Sequence, residues 1–217
     1  LSNLASPGVL GGALIVVGED YGEGASVIQE RTHAFAMKSS LCLLDPRPDL
    51  PQMVRMVEHG FGLSEASNMP VILELRIRAC HVRGSFEAQD NVAPRISTRA
   101  LMHEPASFDY NKLAHPPVTF RHEKLKSDQR IPAARRYILE HGLNESMPGT
   151  QGDLGLIVQG GLYNALIRSL QQLGLANAFG ESDIPILVLN VTYPLVPDQI
   201  VEFCVGKRAV MVLEEGQ

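Results

Sequence analysis

The stretch Val71-Ile-Leu-Glu-Leu-Arg-Ile-Arg-Ala-Cys-His-Val-Arg-Gly84 decides how the rest of the chain reads. Its first part, Val71 to Leu75, is a short, mostly apolar run behind the turn Asn68-Met69-Pro70. That length suits a buried strand better than a helix. The second part is polar. Arg76, Arg78, Cys80, His81 and Arg83 gather where the strand ends, and in open α/β sheets ligands bind at the carboxyl ends of strands. Arg78 and His81 are the leading candidates, since a guanidinium can hold a carboxylate and an imidazole can exchange a proton near neutral pH. The plainer reading is a surface ion pair and a loop-anchoring histidine. Arg76 and Arg83 read as solvated charges.

Outward from this strand the chain alternates. Ala13 to Val17 is apolar, a Gly18-to-Gly22 loop follows, and a helix is expected from Ser26, with Gln29 at capping-box spacing. Leu41 to Leu44 is a second apolar strand, closed by Asp45-Pro46-Arg47-Pro48. Pro51 then suits the first turn of a helix in which Met53, Val54, Val57 and Phe61 recur at helical spacing and which ends near Ser67-Asn68. Strands alternating with helices through short turns imply a parallel sheet covered on both faces. Gly8, Gly11, Gly12, Gly18 and Gly22 match no phosphate-binding fingerprint, so they read as turn glycines.

Between Ser85 and Gln151 six prolines are spread through polar sequence without strand periodicity, which reads as a linker with one short helix near Pro132 to His141. In that helix Ala133, Tyr137 and Ile138 are expected to pack while Arg135 and Arg136 face solvent. Strand-helix alternation returns at Leu154 to Val158, at the Leu162-to-Leu173 helix ended by Gly174, at Pro185 to Val191, at a helix opened by Pro197-Asp198, and at Ala209 to Leu213. The expected fold is therefore α/β, with two doubly wound, mainly parallel sheets in residues 1–84 and 152–217, joined by the 85–151 linker.

Composition narrows the function classes. The 217 residues are 45% hydrophobic and 20% charged, with a formal net charge of −5, and no dense basic block marks a nucleic-acid track. The apolar runs fall short of a membrane span and no leader opens the chain, so a cytoplasmic location is expected. Cys42, Cys80 and Cys204 are far apart and offer no metal or cluster motif, so they read as reduced core thiols. Glu19, Asp20, Gln29, Glu30 and His33 form a second candidate cluster, although a solvated loop and a helix N-terminus explain the acids as well. Asp20 and Gln29 stay on the list of cleft candidates. His103, His115, His122 and His141 match no zinc spacing and are expected on the surface. The missing initial methionine and the stop after an apolar strand suggest a piece of a longer polypeptide.

Residues and spacing alone name no reaction. Taken together, however, the motifs resemble those of the 2-oxoacid:ferredoxin oxidoreductases, and most of all the indolepyruvate type. Val16-Val17-Gly18-Glu19-Asp20 resembles that family's Val-Val-x-Asp-Asp segment. Leu63-Ser64-Glu65 followed by Pro70-Val71-Ile72-Leu73 is similar to its Leu-Ser-Glu helix end and next strand. Arg78 to Gly84 resembles its Arg-x-x-His-x-Arg-Gly. Gly160-Gly161-Leu162-Tyr163, Tyr193-Pro194-Leu195-Val196-Pro197 and Val212-Leu213-Glu214-Glu215 are similar to landmarks of its transketolase-C-like domain.

The resemblance implies the later part of a pyrimidine-binding thiamine-diphosphate domain in 1–84 and most of a transketolase-C-like domain in 152–217. It also implies that the whole enzyme oxidatively decarboxylates a 2-oxoacid to an acyl-CoA. Thiamine diphosphate, magnesium and iron–sulfur clusters would be its cofactors, coenzyme A and ferredoxin its partners, and a homodimer or heteromer its assembly. The activating glutamate, the diphosphate-binding domain and the cluster cysteines of the family have no counterpart here, so this piece is expected to be inactive alone and to hold no cofactor. Ala25-Ser-Val-Ile-Gln-Glu-Arg31 stands where many members carry Ser-Ser-Gln-Asn-Glu-Gln-Asp. A non-catalytic α/β interaction module and a portion of another thiamine enzyme remain the alternatives.

Overall fold

The computed structural model describes residues 1–21, 31–93, 97–105 and 107–215. In chain order its elements are α1 (Ser2–Ala5), β1 (Leu14–Glu19), α2 (Thr32–Ser39), β2 (Cys42–Leu44), α3 (Leu50–Ser67) and β3 (Val71–Arg76). Next come α4 (Ile77–Cys80), α5 (Thr98–Leu101), α6 (Val118–Leu125), α7 (Ile131–Glu140), β4 (Glu145–Met147), β5 (Leu154–Gln159) and α8 (Tyr163–Gln172). The chain finishes with β6 (Ile186–Leu189), β7 (Val191–Tyr193), α9 (Pro197–Cys204) and β8 (Ala209–Leu213). The helix start expected at Ser26 lies outside the described residues. Among the described residues, no helix is long and apolar enough to cross a membrane.

Two four-stranded sheets form, ordered β1-β3-β2-β7 and β4-β6-β5-β8. In the first, β3 is the central strand, parallel to β1 (Leu14 opposite Val71) and to β2 (Cys42 opposite Val71). Its leading residues Val71, Ile72 and Leu73 are fully buried, which is why that run reads as apolar. In the second sheet β6, β5 and β8 run parallel and β4 is antiparallel to β6. The α/β, doubly wound expectation holds: Leu166, Ile167 and Leu170 of α8 pack on Leu156, Val158, Ile186 and Val188, while Ile200 and Phe203 of α9 pack on Ile157, Leu187 and Leu189.

Local chemistry sets the element ends. Asp49 caps α3 by accepting the Gln52 N–H at 3.3 Å, with Pro51 in the first turn, where no intrahelical partner is required. Asn68 closes the helix in the left-handed region (φ 52°), and its N–H donates to the carbonyls of Glu65 and Ser64.

Several expectations about the fold are overturned. The stretch Pro185–Val191 is not one strand. The chain leaves the second sheet after Leu189, and Val191–Tyr193 joins the first sheet antiparallel to β2. Asn190, wholly buried, fixes that crossing: its Nδ2 donates to the Leu143 carbonyl and to Glu145, each at 2.9 Å, and its Oδ1 accepts the Arg47 N–H at 2.8 Å. A polar residue ends the apolar run because the backbone must change sheets there.

The second correction concerns the linker. Residues 118–140 form one long helical run, α6 and α7 joined by a π-turn at Lys126–Arg130. Its stripe His122, Lys126, Arg130, Ala134, Ile138 repeats every fourth residue and is buried throughout. Ala134 and Ile138 enter the first core, while Lys126 donates to the Ser39 carbonyl (3.2 Å) and Arg130 to those of Ala5 and Ser6 (3.1 Å each). The two cations thus satisfy carbonyls at the C-terminal ends of α2 and α1, which have no intrahelical partner. Nor is Arg135 simply solvated, since its Nε donates to the Leu195 carbonyl at 2.8 Å.

Third, His122 is buried rather than exposed, with its Nε2 2.7 Å from the Asn111 carbonyl and its Nδ1 2.7 Å from Ser6 Oγ. A carbonyl only accepts, so Nε2 carries the hydrogen in the first contact. Of the three cysteines only Cys42 is a core thiol, and burial pushes its pKa up to about 12. Cys204 is half-buried and Cys80 exposed.

Candidate functional site

β3 ends in Glu74 and Arg76, and the sheet directs both side chains to where the two sheets meet. Arg76 is no solvated charge; it is 6% exposed. Its Nε and Nη2 donate to the two oxygens of Asp45 at 3.2 and 2.7 Å, a bidentate pair. Nη2 also donates to Gln159 Oε1 and Nη1 to Glu215 Oε2, each at 2.9 Å. The Tyr21 ring lies 4.7 Å from the guanidinium carbon. Asp45 follows β2, Gln159 ends β5 and Glu215 follows β8, so one side chain from β3 ties together strand ends from both sheets.

The acids around it are unequal. Glu19, also buried, accepts the Thr32 N–H at 2.9 Å and hydroxyl at 2.7 Å, so it caps α2 rather than standing in a solvated loop. Glu74, 2% exposed, has its Oε1 3.8 Å from Arg76 Nε, too far for a hydrogen bond, and that oxygen has no hydrogen-bond partner. Burial first, and the Asp45 charge second, push its pKa up to about 8, with Arg76 opposing. Glu74 is thus held toward its neutral form, and it shares a hydrogen bond with Tyr21. Burial, then the charges of Glu74 and Glu19, push the Tyr21 phenol well above its ordinary range.

Gly160 and Gly161, at the end of β5, make the approach of the sheets feasible. A Cβ at Gly160 would collide with the Asp45 carbonyl, and one at Gly161 with Arg76 Nε and Asp45 Oδ1. These glycines are required by close approach rather than by a phosphate.

On one side of the Arg76 bridge lies an open cleft of about 570 Å³. Arg76, Arg78 and Arg168 line it with Glu215, Asn164 and Pro48. Gly161 and Leu162, also in its wall, belong to the turn that opens α8, whose positive dipole end favours an anion. Asn164 Nδ2 donates to the Pro48 carbonyl at 3.1 Å and holds the wall to the loop after β2. The cleft wall therefore carries Arg78 and Arg168 beside the Arg76–Glu215 pair.

Of the residues singled out from sequence, Arg78 lines this cleft. His81 caps the exposed end of α4 and is not among its walls, so the structure does not bring the pair together there. Asp20 is half-buried after β1 and also outside the cleft. Gln29 and Glu30 lie outside the described residues. Arg168, Asp45 and Gln159 were missed. Asp45 stood in a turn signal and Gln159 at a strand end, positions that a single sequence marks only once the two sheets are known to meet.

No known family profile matches the chain. Individual proteins do match, over nearly all of it. Indolepyruvate oxidoreductase subunit IorA of Methanothermobacter marburgensis is 29% identical over 219 residues, covering 98% of this chain and 32% of that protein. IorA of Methanothermobacter thermautotrophicus is 28% identical over 216 residues, and that of Pyrococcus abyssi 24% over 212. The likeness read from the sequence therefore holds. The chain spans about a third of the length of these curated relatives. A solved 2-oxoglutarate:ferredoxin oxidoreductase from Magnetococcus marinus, with 2-oxoglutarate, coenzyme A and succinyl-CoA bound, aligns with a TM-score of 0.60 over 97% of this chain and 42% of that one. At 14% identity it supports the fold alone.

Among the described residues no three His, Cys, Asp or Glu side chains could share a metal ion. Glu19, Asp45 and Glu74 are committed to Thr32, Arg76 and Tyr21. Among the described residues, therefore, the side chains make up no iron–sulfur or metal ligand set.

Proposed function

We propose that the chain is part of a 2-oxoacid:ferredoxin oxidoreductase subunit of the indolepyruvate type, in which residues 1–84 belong to a pyrimidine-binding unit and 152–217 to a transketolase-C-like unit. The complete enzyme would oxidatively decarboxylate an aryl or branched 2-oxoacid to its acyl-CoA and pass electrons to ferredoxin. The diphosphate end of thiamine diphosphate, its magnesium and the iron–sulfur clusters would be held by other parts of it. This piece alone would not turn over. Its contribution is the cationic cleft at the carboxyl ends of the strands, where Arg78 and Arg168 steer the carboxylate of an incoming 2-oxoacid and His81 fastens the adjoining segment.

The observation that supports this reading best is that cleft, with arginines from both α/β units and the start of α8 facing one space. The test uses the full-length, anaerobically prepared protein, titrated with thiamine diphosphate and magnesium and assayed by dye or ferredoxin reduction with a panel of 2-oxoacids. Saturable cofactor binding and reduction by an aryl or branched substrate are expected. Loss of a charge-assisted hydrogen bond costs ~1.5–3 kcal/mol, so Arg168→Ala and Arg78→Ala should each raise KM by roughly 10- to 100-fold with a smaller change in kcat. An intact protein that binds no thiamine diphosphate would refute the family reading. Unchanged KM in both variants would refute the role of the cleft.

A further inference from the structure

A second cavity, of about 200 Å³ and different in character, shares Gln159 with the Arg76 bridge. Ile157, Leu189, Ile200 and Val212 form apolar walls, and Thr192, Gln159 and His33 supply polar atoms. The turn after β8 contributes to both spaces: Glu214 borders this one and Glu215 the cationic cleft. Gln159 is shared by bridge and cavity. Its Oε1 accepts from Arg76 and from the Glu215 N–H (2.8 Å), so the amide nitrogen is the end left to donate.

Thr192 is the unusual member. It is 6% exposed, and its hydroxyl is buried without a hydrogen-bond partner. A partnerless buried hydroxyl is costly, and native structures seldom leave one without a reason. Here it sits in the wall of an open, largely apolar pocket, larger than the enclosed cavity of about 150 Å³ that accommodates benzene. A charged ligand would have to be desolvated against the apolar walls, where His33 and Glu214 are one ionisable base and one acid at the rim.

We propose that this cavity binds a neutral aromatic molecule bearing one hydrogen-bonding atom on its edge, with the ring between Ile157, Leu189, Ile200 and Val212 and that atom paired to the Thr192 hydroxyl. The assignment does not depend on the reaction proposed for the cationic cleft. It gives the orphan hydroxyl a partner and the apolar walls contact atoms that the protein does not supply.

Indole and indene are matched in shape and differ in the ring N–H, so they separate the two contributions. Each is titrated into the full-length protein with methyl-labelled threonine and valine, and binding is followed by shifts of the Thr192 and Val212 methyl signals. Both should saturate, with indole binding at least fivefold tighter. Thr192→Val should erase that preference while leaving indene affinity unchanged. Val212→Phe, at a position already 62% exposed, should abolish binding of both without lowering the melting temperature. The proposal fails if neither probe saturates, as in a water-filled cavity, if indole and indene bind equally to the unmodified protein, or if the phenylalanine variant binds like the parent.

Discussion

Replacing Arg76 by methionine is the most informative single change. The side chain keeps much of its length and loses its charge, leaving Asp45 (3% side-chain exposure) without its donor, Gln159 Oε1 with only the Glu215 N–H, and Glu215 without its cation. Removing one partner of a buried ion pair costs ~3–5 kcal/mol, because the stranded carboxylate stays desolvated. The Asp45 contact is bidentate and fully inside, so a value in that range is expected. Glu215 contributes little, being a third exposed. For a chain of this size each kcal/mol moves the melting temperature by about 2–4 °C, so the variant should melt roughly 6–20 °C lower. Thermal unfolding by circular dichroism at pH 7 reads this directly. Arg76→Met combined with Asp45→Asn should recover part of the loss, because the stranded charge goes with its partner. A single variant within about 1 kcal/mol of the parent, or a double variant less stable than the single, would refute the view that Arg76 ties the two sheets together.

Three further outcomes follow from the same packing. Glu74 has a folded pKa raised from 4.5 to about 8, so the folded state holds a proton that the unfolded state releases above about pH 4.5. Stability should therefore fall as pH rises from about 4.5 to 8, by at most ~1.4 kcal/mol per pH unit, and Glu74→Gln should flatten that slope in chemical denaturation at a series of pH values. Gly160→Ala places a methyl group against the Asp45 carbonyl, an overpacking that costs ~1–3 kcal/mol or more; an unchanged urea midpoint would contradict the close approach. Arg130→Met strands the Ala5 and Ser6 carbonyls, a loss of ~1–3 kcal/mol that should appear in hydrogen exchange as faster opening of α1 than of β5.

The legible parts of the fold were those governed by local rules. Strands β1, β2, β3, β5 and β8 are apolar runs between turn signals, and Asp49-Leu50-Pro51 and Asn68 mark the ends of α3 within a residue or two. What escaped was written in polar residues whose partners are distant in sequence. Lys126 and Arg130 look like solvent-facing charges until the carbonyls of Ser39, Ala5 and Ser6, 87 to 125 residues away, are placed beside them. The every-fourth-residue spacing from His122 to Ile138 was nonetheless visible, and treating cations as members of a buried stripe would have found the helix.

The same reasoning explains Arg76. A single charge at a strand end is ordinarily solvated, but a strand end facing a second sheet is an interior position, and there an arginine is tolerable only if carboxylates converge on it. Sequence order could not show that Asp45, Gln159 and Glu215 converge, because each comes from a different strand end. The site is therefore a product of topology. The apolar runs bring the two sheets together, the glycine pair lets them touch, and the polar residues at the seam then border one cationic cleft and one apolar cavity. Arg76 lines the first and holds Gln159 of the second, so its loss should reach both spaces even though it is assigned as ligand to neither.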